Sequence, residues 1–391
     1  MYSGKYVFAQ LLSFVNRYEF NKCVKRHFGN YRVHGLDCWN QFIQLLYGQI
    51  TSLESLRSIC VCMKAHKGNL YHLGIKQYVV HTTLSRANER RDWQIFADFG
   101  NYLIKLVRPL YADSPIPTID LKNEIFALDS TSISVSINLF TWAEGKYSRG
   151  AVKMHTLIDL RGSIPEFILI TDGKYHDSNA LDVISFHENA IYLMDKAYVD
   201  FEALFGINNA GAFFVTRAKE TMRYSVIEQN FNIDQTTGLR ADKTVELTIA
   251  KSKRLYPNTL RLVEFYDNEN DEMLVFLTNN FAVSALEVAR LYQQRWQIEV
   301  FFKWMKQNLT VKKLWGHSEN AVRIHLWVAI CSYLTVAYIK HMLKSNLSIY
   351  EIMQILKVST FAKTDLRELL TEQPGKIKVN QNVKEQLLLF G

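Results

Sequence analysis

Cysteine, proline and glycine are all scarce in this chain. Five cysteines, an odd number, argue against a disulfide scaffold and for a reducing compartment, hence a cytoplasmic protein. No CxxC knuckle is present, and neither GxGxxG nor a Walker A loop occurs, so nucleotide-dependent chemistry has no support. The opening MYSGKYVFAQ lacks the pattern of a signal peptide. The longest apolar run, Leu326 to Ile339, is too short to span a bilayer comfortably and carries Ser332 and Thr335; it predicts a buried core helix and no membrane partner. Only six prolines occur, and Pro109, Pro115 and Pro117 share one stretch, PLYADSPIPTIDL, which reads as a linker.

What is present is globular: 48% hydrophobic and 21% charged residues over 391 positions, enough for two or three domains. The net charge of +8 is unevenly placed. Residues 1–120 hold 15 Lys and Arg against 8 Asp and Glu, and the remainder holds 31 against 30. The first third is therefore the expected grip on a polyanion.

Periodicity divides the chain. Residues 1–108 carry helical spacing, as in VFAQLLSFVNRYEF, and predict an all-helical domain. Thr51 with Glu54 resembles a capping box ahead of LRSICVCMK, and Thr82 or Thr83 is placed to cap TLSRANERRDWQIFADF. After the linker at 109–120, the runs EIFAL, HTLIDL, EFILIT, AIYLM and AFFVT predict strands, with helices near 178–186 and 200–205. This predicts a mixed α/β core over 121–216. YSVIE, VELTIA, TLRLVEF and EMLVFLTNN then predict a β-rich insertion over 217–280. Core helices over 281–345 and a helical tail over 346–391 complete the expected organisation.

Asp129 follows directly on IFAL, and Asp195 on IYLM. The carboxyl end of a buried strand is where an open α/β sheet places ligand residues, although either Asp also suits a simple turn cap. In YQQRWQIEVFFKWMK, Tyr292, Arg295, Glu299 and Lys306 fall within about 60° of one helix face, on a mostly apolar cylinder. Such a seam is either an active-site wall or a structural salt-bridge network. Two strand-end aspartates and a helical glutamate repel one another unless cations intervene, and hard oxygen ligands select Mg²⁺ or Mn²⁺. Two such ions are the apparatus of in-line phosphoryl transfer. Arg295 suits a phosphate fork, Lys306 a backbone phosphate, and Tyr292 a phosphate hydrogen bond or a base stack. Arg86, Arg90 and Arg91, with Asn88, share a candidate helix in the basic third and suit DNA reading. Cys23, His27, His34 and Cys38 have a spacing open to zinc, but it matches no common finger.

The pattern Y-x2-R-x3-E-x6-K, after a strand-end Asp in the context Asp195-Lys196-Ala197-Tyr198, resembles the DDE transposases of the insertion sequence four family. Asp129 in ALDST matches the family's first aspartate, and the resemblance covers about residues 120–345. It implies a ribonuclease-H-like catalytic core with a β-rich insertion, preceded by the all-helical N-terminal domain. It implies Asp129, Asp195 and Glu299 as the catalytic and metal-binding residues on two Mg²⁺ (or Mn²⁺) ions. The activity implied is cleavage at the ends of a mobile element and strand transfer into target DNA. The expected partners are terminal inverted repeats, target DNA and a second copy of the chain in the DNA complex. The family often holds a flipped base on a Trp of the insertion; residues 216–290 contain none, leaving Phe231, Phe265, Tyr266 or Trp296 as substitutes. The alternatives are a structure-specific nuclease on the same core and a catalytically silent DNA-binding relative.

Overall fold

Helical spacing in the first third resolves into short helices tied down by side-chain caps. The computed structural model describes residues 4–371 except 76, 137, 139 and 144–149. Helices α1 (Val7–Leu12), α2 (Arg17–Arg26), α3 (Cys38–Ile50), α4 (Leu56–Ala65), α5 (His81–Arg90) and α6 (Gln94–Val107) come first. Asn16, Asp37 and Ser55 accept the free N–H groups that open α2, α3 and α4. The expected Thr51–Glu54 box is not formed. Thr51 ends α3, its hydroxyl donating to Tyr47 O, and Leu53 N–H closes back on Gly48 O, so Ser55 is the first residue free to cap α4. Neither Thr82 nor Thr83 is a cap: α5 begins at His81 and stops at Arg91, whose backbone is extended. Asp92 then accepts from Gln94 N–H and opens α6.

The linker is anchored. Tyr111 is buried and its hydroxyl donates to Ala337 O, while Arg108 pairs with Asp159 (3.0 Å) and Glu166 (2.8 Å).

Beyond it lie β1 (Ile125–Val135), β2 (Gly150–Asp159), β3 (Ile164–Asp172), β4 (Ile191–Met194), α7 (Phe201–Asn209), β5 (Phe213–Arg217), β6 (Tyr224–Asn230), β7 (Leu239–Leu247), α8 (Ala250–Leu255), β8 (Leu260–Asp267) and β9 (Glu272–Thr278). Among the described residues they form one nine-stranded sheet, ordered β3-β2-β1-β4-β5-β9-β8-β7-β6. β1, β2 and β3 pair antiparallel; β1, β4 and β5 pair parallel. β9 pairs antiparallel with β5, so the strands of the expected insertion continue the sheet. The chain then forms α9 (Ala285–Gln294), α10 (Trp296–Asn308), α11 (Glu319–Leu343), α12 (Ile349–Ser359) and α13 (Leu366–Thr371). The remainder of the expected helical tail, 372–391, lies outside the described residues.

Strand alternation sends side chains to two cores. Phe126, Leu128, Tyr192, Met194 and Phe214 pack with Leu204 and Ile207 of α7. Ile125, Ala127, Ile191, Leu193 and Val215 face a larger cluster that includes Ile298 and Leu334 and also Val7, Phe42 and Phe99 of the N-terminal helices. The N-terminal helices thus share a core with the sheet. Of these helices α3, α5 and α6 share one partner, α11, 25 residues long and buried over most of its length. It is long and apolar enough to cross a membrane, but 89% of its most apolar window lies inside the protein, as the run Leu326 to Ile339 predicts. Gln49 Oε1 of α3 adds a buried polar tie, accepting from Thr310 N–H and Oγ1 at 3.0 Å each.

At Gly100 of α6 a Cβ would stand 2.6 Å from the Trp327 ring of α11. Gly100→Ala should therefore lower stability by about 1–3 kcal/mol, because the indole has no room to yield in a packed core. Urea titration checks this, and an unchanged midpoint would mean that α6 and α11 are not locked together.

Candidate active site

The sheet's parallel register builds the site. Ile125 lies opposite Ile191, and the pairing runs on to Leu128 opposite Met194. The next residues are Asp129 and Asp195, on neighbouring chain segments about 4.8 Å apart; Asp195 follows the end of β4 as expected, but β1 runs on to Val135 in its pairing with β2, so Asp129 lies inside a strand rather than at its end. Leu128 and Met194 point into the smaller core, so alternation sends both aspartates to the opposite face, where α10 packs against β1. There β4 ends: Asp195 accepts from Ala197 N–H (3.0 Å) and starts a short turn. Asp195 thus caps a turn and also stands at a strand end beside another carboxylate.

Glu299 approaches on α10. The Arg295 guanidinium bridges the two elements, 2.7 Å from Glu299 Oε1 and 3.4 Å from Asp129 Oδ2. Arg295 also lies over the Tyr292 ring (5.6 Å), and that ring packs against Phe276 of β9 at 4.9 Å. Tyr292 is buried, which corrects the expectation of a base stack on its ring: both of its neighbours are already protein groups. The expected single helix is interrupted at Arg295, where Arg295 N–H bonds to Tyr292 O and Ile298 N–H to Arg295 O, tightening one turn.

Lys306 does not join the Arg295–Glu299 pair. It lines a cleft of about 440 Å³ together with Asp129, Ser130, Thr131 and Glu299 and with Lys303, Gln307 and Lys312. Among the described residues it makes no ion pair. Burial and the nearby Lys312 hold its ammonium below the usual lysine range. Lys303 and Lys312, both exposed, extend the positive wall; neither stands out in the sequence beyond lying three and six residues from Lys306.

Burial pushes the Asp129 carboxyl up to about 6, with Glu299 and Asp195 adding like-charge repulsion against the relief from the Ser130 N–H and Arg295. Hard oxygen donors in such a place suit a divalent cation. Among the described residues, however, no three His, Cys, Asp or Glu side chains stand close enough to hold one ion, and Arg295 contacts both Asp129 and Glu299. The same holds for Cys23, His27, His34 and Cys38: His27 pairs with Asp98 (2.9 Å), and both cysteines are buried.

The other face of the sheet backs the site. Ser130, opposite His155 in the β1–β2 register, donates to Asp177 Oδ1 (2.6 Å), which also receives Lys153 Nζ (3.2 Å). His155 Nδ1 lies 3.6 Å from the same oxygen, and burial lowers this imidazole to about 4, keeping it neutral near pH 7. His155 and Asp177 therefore brace β1 from the face opposite Asp129.

In the N-terminal helices Arg86 and Arg90 are exposed on α5. Arg91 is not available to DNA. It is buried, and its guanidinium donates to Gln41 Oε1 (2.6 Å) and to Leu36 O. Asn88 is buried too, accepting from Gln41 Nε2. Of the aromatic residues considered for base capture, Phe231 and Trp296 are exposed, and Phe265 and Tyr266 are partly buried.

A carboxylate inside β1 where its parallel pairing stops, another just past the end of β4, a helical glutamate and a basic wall are groups that suit phosphoryl transfer. A family profile described as Transposase DDE domain matches residues 120–335, more than half of the chain. The chain belongs to that family and is a DDE transposase, an enzyme class that depends on divalent metal. Residues 3–76 match a second profile, Domain of unknown function (DUF4372). The putative transposase y4zB of Sinorhizobium fredii is 28% identical over 295 residues, 74% of this chain and 80% of that protein. The probable transposase for insertion sequence element IS5377 of Geobacillus stearothermophilus is 28% identical over 57% of this chain and 58% of its own. The putative transposase for insertion sequence element IS4SA of Synechocystis is 27% identical over 65% and 70%. A cryo-EM structure of the piggyBac transposase synaptic complex with hairpin DNA aligns with TM-score 0.46 and 9% identity, over 97% of this chain and 82% of that one.

The raised Asp129 carboxyl gives a stability prediction. Its ordinary value is 3.8, and in the fold it titrates at about 6, so between those values the folded protein keeps a proton that the unfolded chain has lost. Stability from this group therefore falls as pH rises through that window, and the full penalty is present above it. Asp129→Asn should stabilise the protein in chelator at pH 8 by on the order of 1–3 kcal/mol, with the gain vanishing near pH 4. Paired denaturation curves check this; a variant weaker than its parent at pH 8 would make Asp129 a structural counter-charge for Arg295.

Proposed function

We propose that Asp129, Asp195 and Glu299 are the catalytic carboxylates of this transposase, and that it cleaves DNA at the ends of an insertion sequence and joins them to target DNA. The observation that carries the reading is the register ending at Leu128 and Met194, which supports two aspartates on one face beneath Glu299. The strand order β3-β2-β1-β4-β5, antiparallel then parallel, supports a ribonuclease-H-like core over 121–216 and 281–345, with 217–280 as its β-rich extension. The helices of 1–108 are the proposed DNA-binding region, joined to that core through the stretch 109–120.

The three carboxylates would hold two Mg²⁺ or Mn²⁺ ions, and the raised Asp129 carboxyl supports a site that favours added positive charge. When bound, such ions supply charge stabilisation on phosphoryl oxygens and a more acidic attacking water or hydroxyl. Arg295 has to leave at least one of its two carboxylates for them to converge. Its fork then suits the scissile phosphate, with Tyr292 supporting it from beneath. Lys306, with Lys303 and Lys312, binds the neighbouring phosphates; Arg86 and Arg90 extend the grip from α5, without Arg91. The proposed partners are terminal inverted repeats, target DNA and a second copy of the chain in the DNA complex, inside the cell.

Asp129→Ala, Asp195→Ala and Glu299→Ala should each abolish metal-dependent cleavage of the DNA flanking the gene while leaving fold and DNA binding in place. Retained cleavage in any one removes that residue from the set. Lys306→Met keeps the apolar stem and removes only the ammonium. It should shift the melting temperature little and reduce cleavage strongly, because its partner is the phosphate. If Lys306 were structural, the melting temperature would fall and DNA binding would persist.

A further inference from the structure

A second surface, sharing no lining residue with the carboxylate cleft, has the chemistry of a nucleic-acid platform. It lies on α2 and the loop that follows, within the stretch matched by the domain of unknown function. Tyr18, Phe28 and Tyr31 are 69%, 78% and 69% exposed. They border a hollow of about 650 Å³ whose wall also carries Arg17, Lys22 and Lys25.

The loop is built to present these rings. Gly29 is pressed against the core, where a Cβ would meet Ile95 Cδ1 at 2.4 Å and Cys38 Sγ at 2.8 Å, and its N–H bonds to Val24 O. Asn30 Oδ1 accepts from Cys38 N–H (2.8 Å), fixing the far side. Phe28, held between, adopts a left-handed backbone (φ 51°), unfavourable for a bulky residue, and its ring projects outward. Tyr31 N–H bonds to Phe28 O, so the two rings belong to one turn.

The cations interleave with the rings. Lys22 lies over Tyr18 at 4.6 Å, and Arg32, again left-handed (φ 54°), lies over Tyr31 at 5.1 Å. Among the described residues Arg17, Lys25 and Arg32 make no ion pair. Phe28 and Tyr31 also line the adjoining hollow that contains Arg86 and Arg90. Unpaired cations select a polyanion, whereas exposed ring faces add affinity only when a flat apolar partner stacks on them. Duplex DNA offers phosphates but hides its base faces. An unpaired strand offers both.

We propose that the α2 surface binds unpaired DNA, with Phe28 and Tyr31 as stacking platforms and Arg17, Lys25 and Arg32 on the phosphates. The proposal rests on the reading that this protein works on DNA, so duplex binding is measured beside it and the two can fail separately. The test is fluorescence anisotropy of the full chain on labelled oligo(dT), on a duplex of equal length and on oligo(rU). The Phe28→Ala, Tyr31→Ala double variant should lose ~10-fold or more in affinity for oligo(dT) and little for duplex. Phe28→Tyr, which keeps a stacking face, should retain wild-type binding. Arg17→Gln and Lys25→Gln should each flatten the log–log salt dependence on oligo(dT) by about 0.7. An unchanged melting temperature of the double variant assigns the loss to the rings; if it falls, loss of oligo(dT) binding in Phe28→Leu, which keeps bulk without a ring, carries the same test. Duplex binding without oligo(dT) binding, equal loss on both DNAs, or tighter binding of oligo(rU) than oligo(dT) would each overturn the proposal.

Discussion

A parallel pairing that sets Leu128 opposite Met194 leaves two carboxylates side by side on one face of the sheet, and a third is added from α10. Concentrated negative charge in a half-buried place has to be answered by something positive. In this fold the answer is Arg295, reaching both Asp129 and Glu299, with Lys306 left over on the adjoining wall. The surrounding architecture serves that arrangement. Tyr292 and Phe276 bed the guanidinium, and the Ser130–Asp177–Lys153 contacts hold β1 from the opposite face.

Asp195 at the end of β4 was legible because a buried apolar run that stops at an Asp is a local pattern, and so was the helix that carries Glu299; the same pattern misled at Asp129, because β1 runs on to Val135 and only its pairing with β4 stops there. Pairing over long separations was not legible. That β9 returns to β5, making the insertion part of one sheet, depends on backbone groups separated by the whole of β6, β7 and β8. Tyr292 looked available because its burial is supplied by Phe276, on a strand the local pattern does not connect to α9. Arg91 looked like its neighbours Arg86 and Arg90, but only Arg91 follows the last turn of α5, where its side chain turns back toward Gln41 and Leu36. The cap positions were missed for a related reason: Thr51 and Glu54 have the right letters, while the closure of α3 on Gly48 decides who is free to cap.

The charge along the sequence suggests a division of labour, basic helices first and carboxylates later. It does not extend to the interior. Val7, Phe42 and Phe99 belong to the same buried cluster as Leu193 and Ile298, so the two parts of the chain are stabilised together.

The shared mast α11 therefore has a metrical consequence. With α3, α5 and α6 packed on it and the sheet sharing the same core, packing sets the separation between the α2 surface and the carboxylate cleft. A polynucleotide held at both places is spanned by a fixed length of backbone. Under the two proposals the protein would act as a ruler, with the position of a cut counted from wherever the α2 surface takes hold.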